Sequence, residues 1–252
     1  MLGTALDFPT IAIVFVGALV AGFTTGLAGF GTGLVASGLW FHALPAAMVP
    51  PLVALASVIG QVASLVTVRR EYDWSRALPY LVGGAIGVPL GVVALAQASP
   101  FALKASVGVI LIAYTTYQFL VRRPHQVGTW GGRTLDGVVG VGGGFLGGFA
   151  GLSGPLPLIW LQLRGETADA QRATYQPFNL IVLALAAGGM VISGQITSRL
   201  MWIALMCLPA TLVGAWAGAR VYVGVSPQTF QRVVLVLLLL SGCLLIGQSL
   251  AS

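Results

Sequence analysis

The chain has 252 residues, 57% hydrophobic and only 7% charged, with 12 basic and 6 acidic side chains and a formal net charge of +6. A soluble globular chain carries roughly 25% charged residues, so the composition excludes a soluble domain and points to a lipid bilayer. In such a chain a positive excess reflects basic loops on the cytoplasmic side, not nucleic-acid binding.

Eight apolar segments follow one another, at 9–36, 45–68, 77–97, 101–121, 135–163, 174–194, 199–220 and 228–249. Each is long enough to cross about 30 Å of hydrocarbon as a helix. None alternates polar and apolar residues, which argues against a membrane β-barrel. The links are too short for a soluble domain. The N-terminus has no basic stretch and no cleavage site, so the first segment is expected to be a retained helix and not a signal peptide. Cys207 and Cys243 lie in apolar runs and imply no disulfide or metal framework.

The first segment contains GFTTGLAGFGTGLVASG, residues 22–38. Ala18, Gly22 and Gly26 keep a four-residue spacing, the pattern of a small-residue stripe that lets helices approach closely. Gly29, Gly31 and Gly33 leave that stripe. A continuous helix from Pro9 to Pro45 would reach roughly 50 Å, too long for a bilayer even when tilted. The segment is therefore expected to break near these glycines, with a simple kink as the alternative. The second segment places Ser57, Gln61 and Ser64 on one helix face, and the third carries the stripe Gly83, Gly87 and Gly91. A basic link then holds Arg122, Arg123, His125 and Arg133. The fifth segment repeats the pattern of the first: a stripe at Gly140, Gly144 and Gly148, then AGLSGPLPLIW, where Pro155 and Pro157 interrupt the helix. The sixth carries Gln176 and Asn179 on one face after Arg172, and the seventh carries Ala210, Gly214 and Gly218.

The two halves match. A shift of 122 residues lays Gly22, Phe23, Gly26, Ala28 and Gly29 on Gly144, Phe145, Gly148, Ala150 and Gly151, and Ser57 on Asn179. The expected architecture is thus an all-α polytopic membrane protein. It has about eight transmembrane helices in two four-helix repeats, with a broken first helix in each. The repeats are residues 1–121 and 135–252, joined by a basic linker at 122–134. Four spans per repeat is even, so the repeats are expected to be parallel. With alternating spans, seven basic residues (Arg69, Arg70, Arg76, Arg122, Arg123, Arg133, Arg199) share one side and five (Lys104, Arg164, Arg172, Arg220, Arg232) the other. The positive-inside rule then places both termini in the cytoplasm, in a cell (inner) membrane.

A broken helix inside a membrane exposes backbone groups that need partners, and the N-terminus of a half-helix suits an anion. Interrupted segments at matched positions are the sequence pointer to a carrier's binding site. The candidate substrate-binding residues are Gly29, Gly31, Thr32, Gly33, Ser57, Gln61, Gly151, Ser153, Gly154, Arg172, Gln176 and Asn179. For Ser57, Gln61, Gln176 and Asn179 the alternative is hydrogen bonding between helices, and for Arg172 an interfacial arginine snorkelling to water. His42 and His125 read as loop residues without metal-ligand partners. No segment has a carboxylate at its middle, and there is no Walker A, HExxH or GxSxG pattern. The expectation is a transporter or facilitator, not an enzyme, with no cofactor and no metal, its partners a small anion and the bilayer. A membrane-embedded assembly or scaffold subunit without its own substrate is the alternative.

GFTTGLAGFGTG, its counterpart GGFLGGFAGLSGPLPLIWLQLRG and the following QRATYQPFNL together resemble the TauE/SafE family, also called the toluene sulfonate uptake permease superfamily. The resemblance covers nearly the whole chain. It implies a multi-pass carrier of small anions, chiefly sulfite, sulfoacetate and related sulfonates. It also implies a Gly-rich turn at Gly29, Gly31 and Gly33 in one half and at Gly151, Ser153, Gly154 and Pro155 in the other.

Overall fold

A computed structural model describes residues 7–28, 31–67, 72–121, 126–221 and 227–250. Among them are ten α-helices and no strand. They are α1 (Phe8–Ala28), α2 (Thr32–Trp40), α3 (Val49–Thr67, preceded by the 3-10 turn Ala46–Met48), α4 (Trp74–Gln97), α5 (Pro100–Leu120), α6 (Gly132–Ala150), α7 (Pro155–Leu163), α8 (Ala168–Ile192), α9 (Ser198–Val221) and α10 (Pro227–Leu250). Six helices are long and apolar enough to cross a membrane: α1, the turn with α3, α4, α5, α8 and α9; the apolar stretch Val234–Leu250 of α10 is shorter. Large apolar side chains such as Val82, Ile86, Leu90, Trp202, Leu205 and Val213 face outward, the surface a bilayer solvates.

Local sequence starts several helices. Asp73 accepts from the Arg76 N–H at 3.0 Å, Ser99 from Ala102 at 3.1 Å ahead of Pro100, and Thr167 from Ala170 at 3.3 Å. These are side-chain N-caps, with proline in its favoured first-turn place.

The small-residue stripes pair the helices. A β-carbon at Gly22 or Gly26 would overlap the Thr211 or Ala215 carbonyl, so α1 lies backbone to backbone along α9. One at Gly83, Gly87 or Gly91 would overlap the carbonyl of Gly137, Val141 or Phe145, joining α4 to α6 in the same way. In both pairs the residue numbers rise together, so the partners are parallel.

The first and fifth apolar segments do break, and each half-helix turns back. Trp40 Nε1 donates to the Val14 carbonyl at 3.1 Å. In one straight helix these residues would be about 39 Å apart. Thr25 and Thr32 also meet through their hydroxyls. The reversal of α7 along α6 is equally direct: Trp160 Nε1 donates to Asp136 at 2.7 Å, and the Leu152 N–H reaches the Leu146 carbonyl at 3.1 Å. Gly31 and Gly151 have φ of 104° and 72°, the left-handed region that glycine enters without strain.

The helix directions differ from the expectation of parallel repeats: the last helices of the two halves, α5 and α10, are antiparallel. Gly108 packs on Gly242 and Ile246, whereas Gly242 packs on Gly108, Leu111 and Ile112.

One end of the bundle gathers the charged groups. The Asp73 N–H donates to the Ala173 carbonyl at 3.2 Å, Arg76 pairs with Glu166 at 2.8 Å, and Arg133 donates to the Ser75 carbonyl at 2.9 Å. There Asp136 accepts from Tyr80 at 2.7 Å and from Trp160, and pairs with Arg164 at 2.9 Å. The opposite end is marked by Gln195, which donates to the Val92 carbonyl at 3.2 Å, and by His42, 3.1 Å from the Ser241 hydroxyl.

Candidate functional site

Two half-helices begin at one buried cavity of about 30 Å³, room for roughly two waters. From the α1–α2 hairpin come Gly31, Thr32, Gly33 and Leu34, and from the α6–α7 hairpin Gly151, Leu152, Ser153, Gly154 and Pro155. The walls are Ser57 and Gln61 of α3 and Asn179 and Leu183 of α8. Ser57 and Asn179 fall near the midpoints of their helices.

Among the described residues, both helix starts are left open by their own chain. The first backbone bond of α2 is Val35 N–H to Gly31 C=O at 3.0 Å, so the N–H groups of Thr32, Gly33 and Leu34 have no partner within the helix. In α7 the first is Leu158 N–H to Gly154 C=O at 3.1 Å. Pro155 and Pro157 have no N–H, leaving that of Leu156. Neither Gly31 nor Gly154 caps its helix with a side chain.

The side chains divide by what they still offer. Ser153 Oγ donates to Asn179 Oδ1 at 2.9 Å, which turns the Asn179 amide nitrogen toward Gly154. The Thr32 hydroxyl is paired with that of Thr25, which also lies 3.1 Å from the Ala21 carbonyl, so the pair shares its protons among these partners. Ser57 is different: it is 2% exposed and its hydroxyl has no hydrogen-bond partner. A buried hydroxyl in that state costs stability, which makes it the donor most in need of a ligand.

Of the residues singled out from sequence, Gly31, Thr32, Gly33, Ser57, Gln61, Gly151, Ser153, Gly154 and Asn179 border this cavity. Gly29 lies outside the described residues. Gln176 is buried but does not border the cavity. Arg172 is also absent from the lining; its guanidinium donates to the Leu27 carbonyl at 3.3 Å, at the C-terminal end of α1. A cation suits that negative helix end, so Arg172 holds the hairpin. Sequence reasoning missed Leu183, Leu34 and Leu152. Leu183 was within reach, because the shift of 122 residues that pairs Ser57 with Asn179 also pairs Gln61 with Leu183.

An apolar outer surface, helices of membrane-crossing length and a cavity bordered by the buried polar groups Thr32, Ser57, Gln61, Ser153 and Asn179 define a multi-pass α-helical membrane protein. The chain belongs to the sulfite exporter TauE/SafE family, whose model matches residues 14–245. It is therefore a member of a membrane transport family. Comparison with curated proteins and with solved structures returned no match.

Proposed function

We propose that this protein is a secondary carrier or facilitator of small anions, with sulfite, sulfoacetate and other organosulfonates as the substrate class, and that the cavity between the two hairpins is its binding site. The observation that carries this reading is the meeting of two uncapped helix N-termini with the partnerless hydroxyl of Ser57. Backbone N–H groups and positive dipole ends favour an anion. Gly31, Thr32, Gly33, Ser57, Gln61, Gly151, Ser153, Gly154 and Asn179 form the site. Arg172 stabilises the hairpin from outside it. A cavity of about 30 Å³ holds roughly two waters, so in this reading α2 and α7 move apart to admit substrate. The family match supports transport, and sulfur anions come from its description.

The reading includes two structural repeats, residues 1–121 and 135–252, joined at 122–134 and inverted with respect to one another. Support comes from packing that exchanges between halves: α1 on α9 mirrors α6 on α4, and α5 meets its own counterpart α10. Helix direction also changes the charge tally. Arg76, Arg133, Arg164, Arg172, Arg220 and Arg232 belong to the end that holds Asp136, and only Lys104 and Arg199 to the other. The positive-inside rule then places the basic end in the cytoplasm and both termini on the opposite face, the reverse of the orientation expected from eight alternating spans.

The test is anion flux in proteoliposomes containing the purified chain. Uptake of a sulfonate or sulfite above that of empty vesicles is expected. No movement of any sulfur oxyanion, sulfonate or small carboxylate would overturn the reading in favour of a scaffold subunit without a substrate.

A further inference from the structure

We infer that the site accepts a single net negative charge and rejects dianions, fully ionised sulfoacetate among them; this rests on the anion-carrier reading above and narrows its substrate class to monoanions. Among the described residues no acidic or basic side chain borders the cavity. The nearest cation considered for the role, Arg172, is committed to the Leu27 carbonyl. Positive potential at the site therefore comes from dipoles alone. Each helix N-terminus is equivalent to roughly half a unit charge, so the starts of α2 and α7 together match at most about one. The C-terminal ends of α1 and α6, which run into the same two turns, can only lower that sum.

The donors agree with this limit. The Thr32 hydroxyl is already paired with Thr25, and the Ser153 hydroxyl is given to Asn179. Ser57, which borders the cavity and is 2% exposed, offers one hydroxyl without a partner among the described residues. Backbone N–H groups and one hydroxyl can surround the oxygens of a sulfonate or of hydrogen sulfite. A sulfate or fully ionised sulfite would keep about one unit of charge uncompensated away from water, which is strongly disfavoured.

The experiment is competition and uptake in proteoliposomes of the full chain, using methanesulfonate as the monoanion and sulfate as the dianion. Methanesulfonate is expected to enter, and sulfate at equal concentration to compete at least about tenfold more weakly, the smallest gap that a full unmatched charge should leave. Sulfite uptake is expected to fall as pH is raised and hydrogen sulfite gives way to the dianion. Sulfate competing as strongly as methanesulfonate would overturn the charge limit while leaving the carrier reading intact. If no oxyanion moves at all, both fall.

Discussion

Ser57 is the residue whose environment most clearly asks for a ligand. Its hydroxyl is buried without a partner, so removing it should not destabilise the empty protein. A hydrogen bond to a charged group contributes about 1.5–3 kcal/mol. Ser57→Ala should therefore raise the apparent KM for a transported anion roughly tenfold to a hundredfold, with melting temperature in detergent unchanged or raised. A loss of melting temperature with unchanged flux would assign Ser57 to packing. His42 lies in the turn after α2 and is exposed, as its sequence description as a loop residue implies. It also touches Ser241, and partial desolvation holds its pKa below the ordinary 6.5, against a raising bond from Gln248 and with a further lowering by Lys104. The unfolded chain then takes up the proton more readily than the folded one. This contribution to stability is present above pH 6.5 and is lost as pH falls below it. Thermal melts across that range should show a shallower acid-side decline in His42→Gln.

At the scale of elements, glycine has two separate uses in this chain. The stripes at Gly22 and Gly26 and at Gly83, Gly87 and Gly91 bring helix backbones into contact, as the four-residue spacing implies. The glycines at 31 and 151 reverse the chain. Only the first use follows from spacing; the second needs φ, which no spacing encodes. Gly87→Leu should force α4 from α6, because even a β-carbon would overlap the Val141 carbonyl. Overpacking of this kind costs about 1–3 kcal/mol or more, readable as a lowered melting temperature or loss of the monodisperse peak in detergent. The exposed neighbour Ile86→Leu is the control and should change neither.

At the scale of the molecule, the hairpins determine which way everything else points. With α2 and α7 as returning half-helices, six of the eight basic side chains among the described residues belong to one end. An alkaline phosphatase fused to the C-terminus should be active, and a fluorescent protein that matures only in the cytoplasm should be dark there. The opposite pair of results would place the basic end outside and contradict the orientation proposed from helix direction.

The sequence by itself determined the bilayer environment, the all-helical class, the family and the two breaks, because composition, segment length, proline and glycine spacing are local quantities. It also named most of the cavity: Thr32, Ser57, Ser153 and Asn179 were visible as polar residues near matched interruptions. What only the tertiary structure decided was direction. Gly29–Gly33 and Gly151–Pro155 announce that a helix stops, but whether the chain continues or turns back depends on contacts between distant residues, such as Trp40 with Val14 and Trp160 with Asp136. In the fold so directed, Arg172 lies outside the cavity lining and the buried Ser57 hydroxyl has no partner.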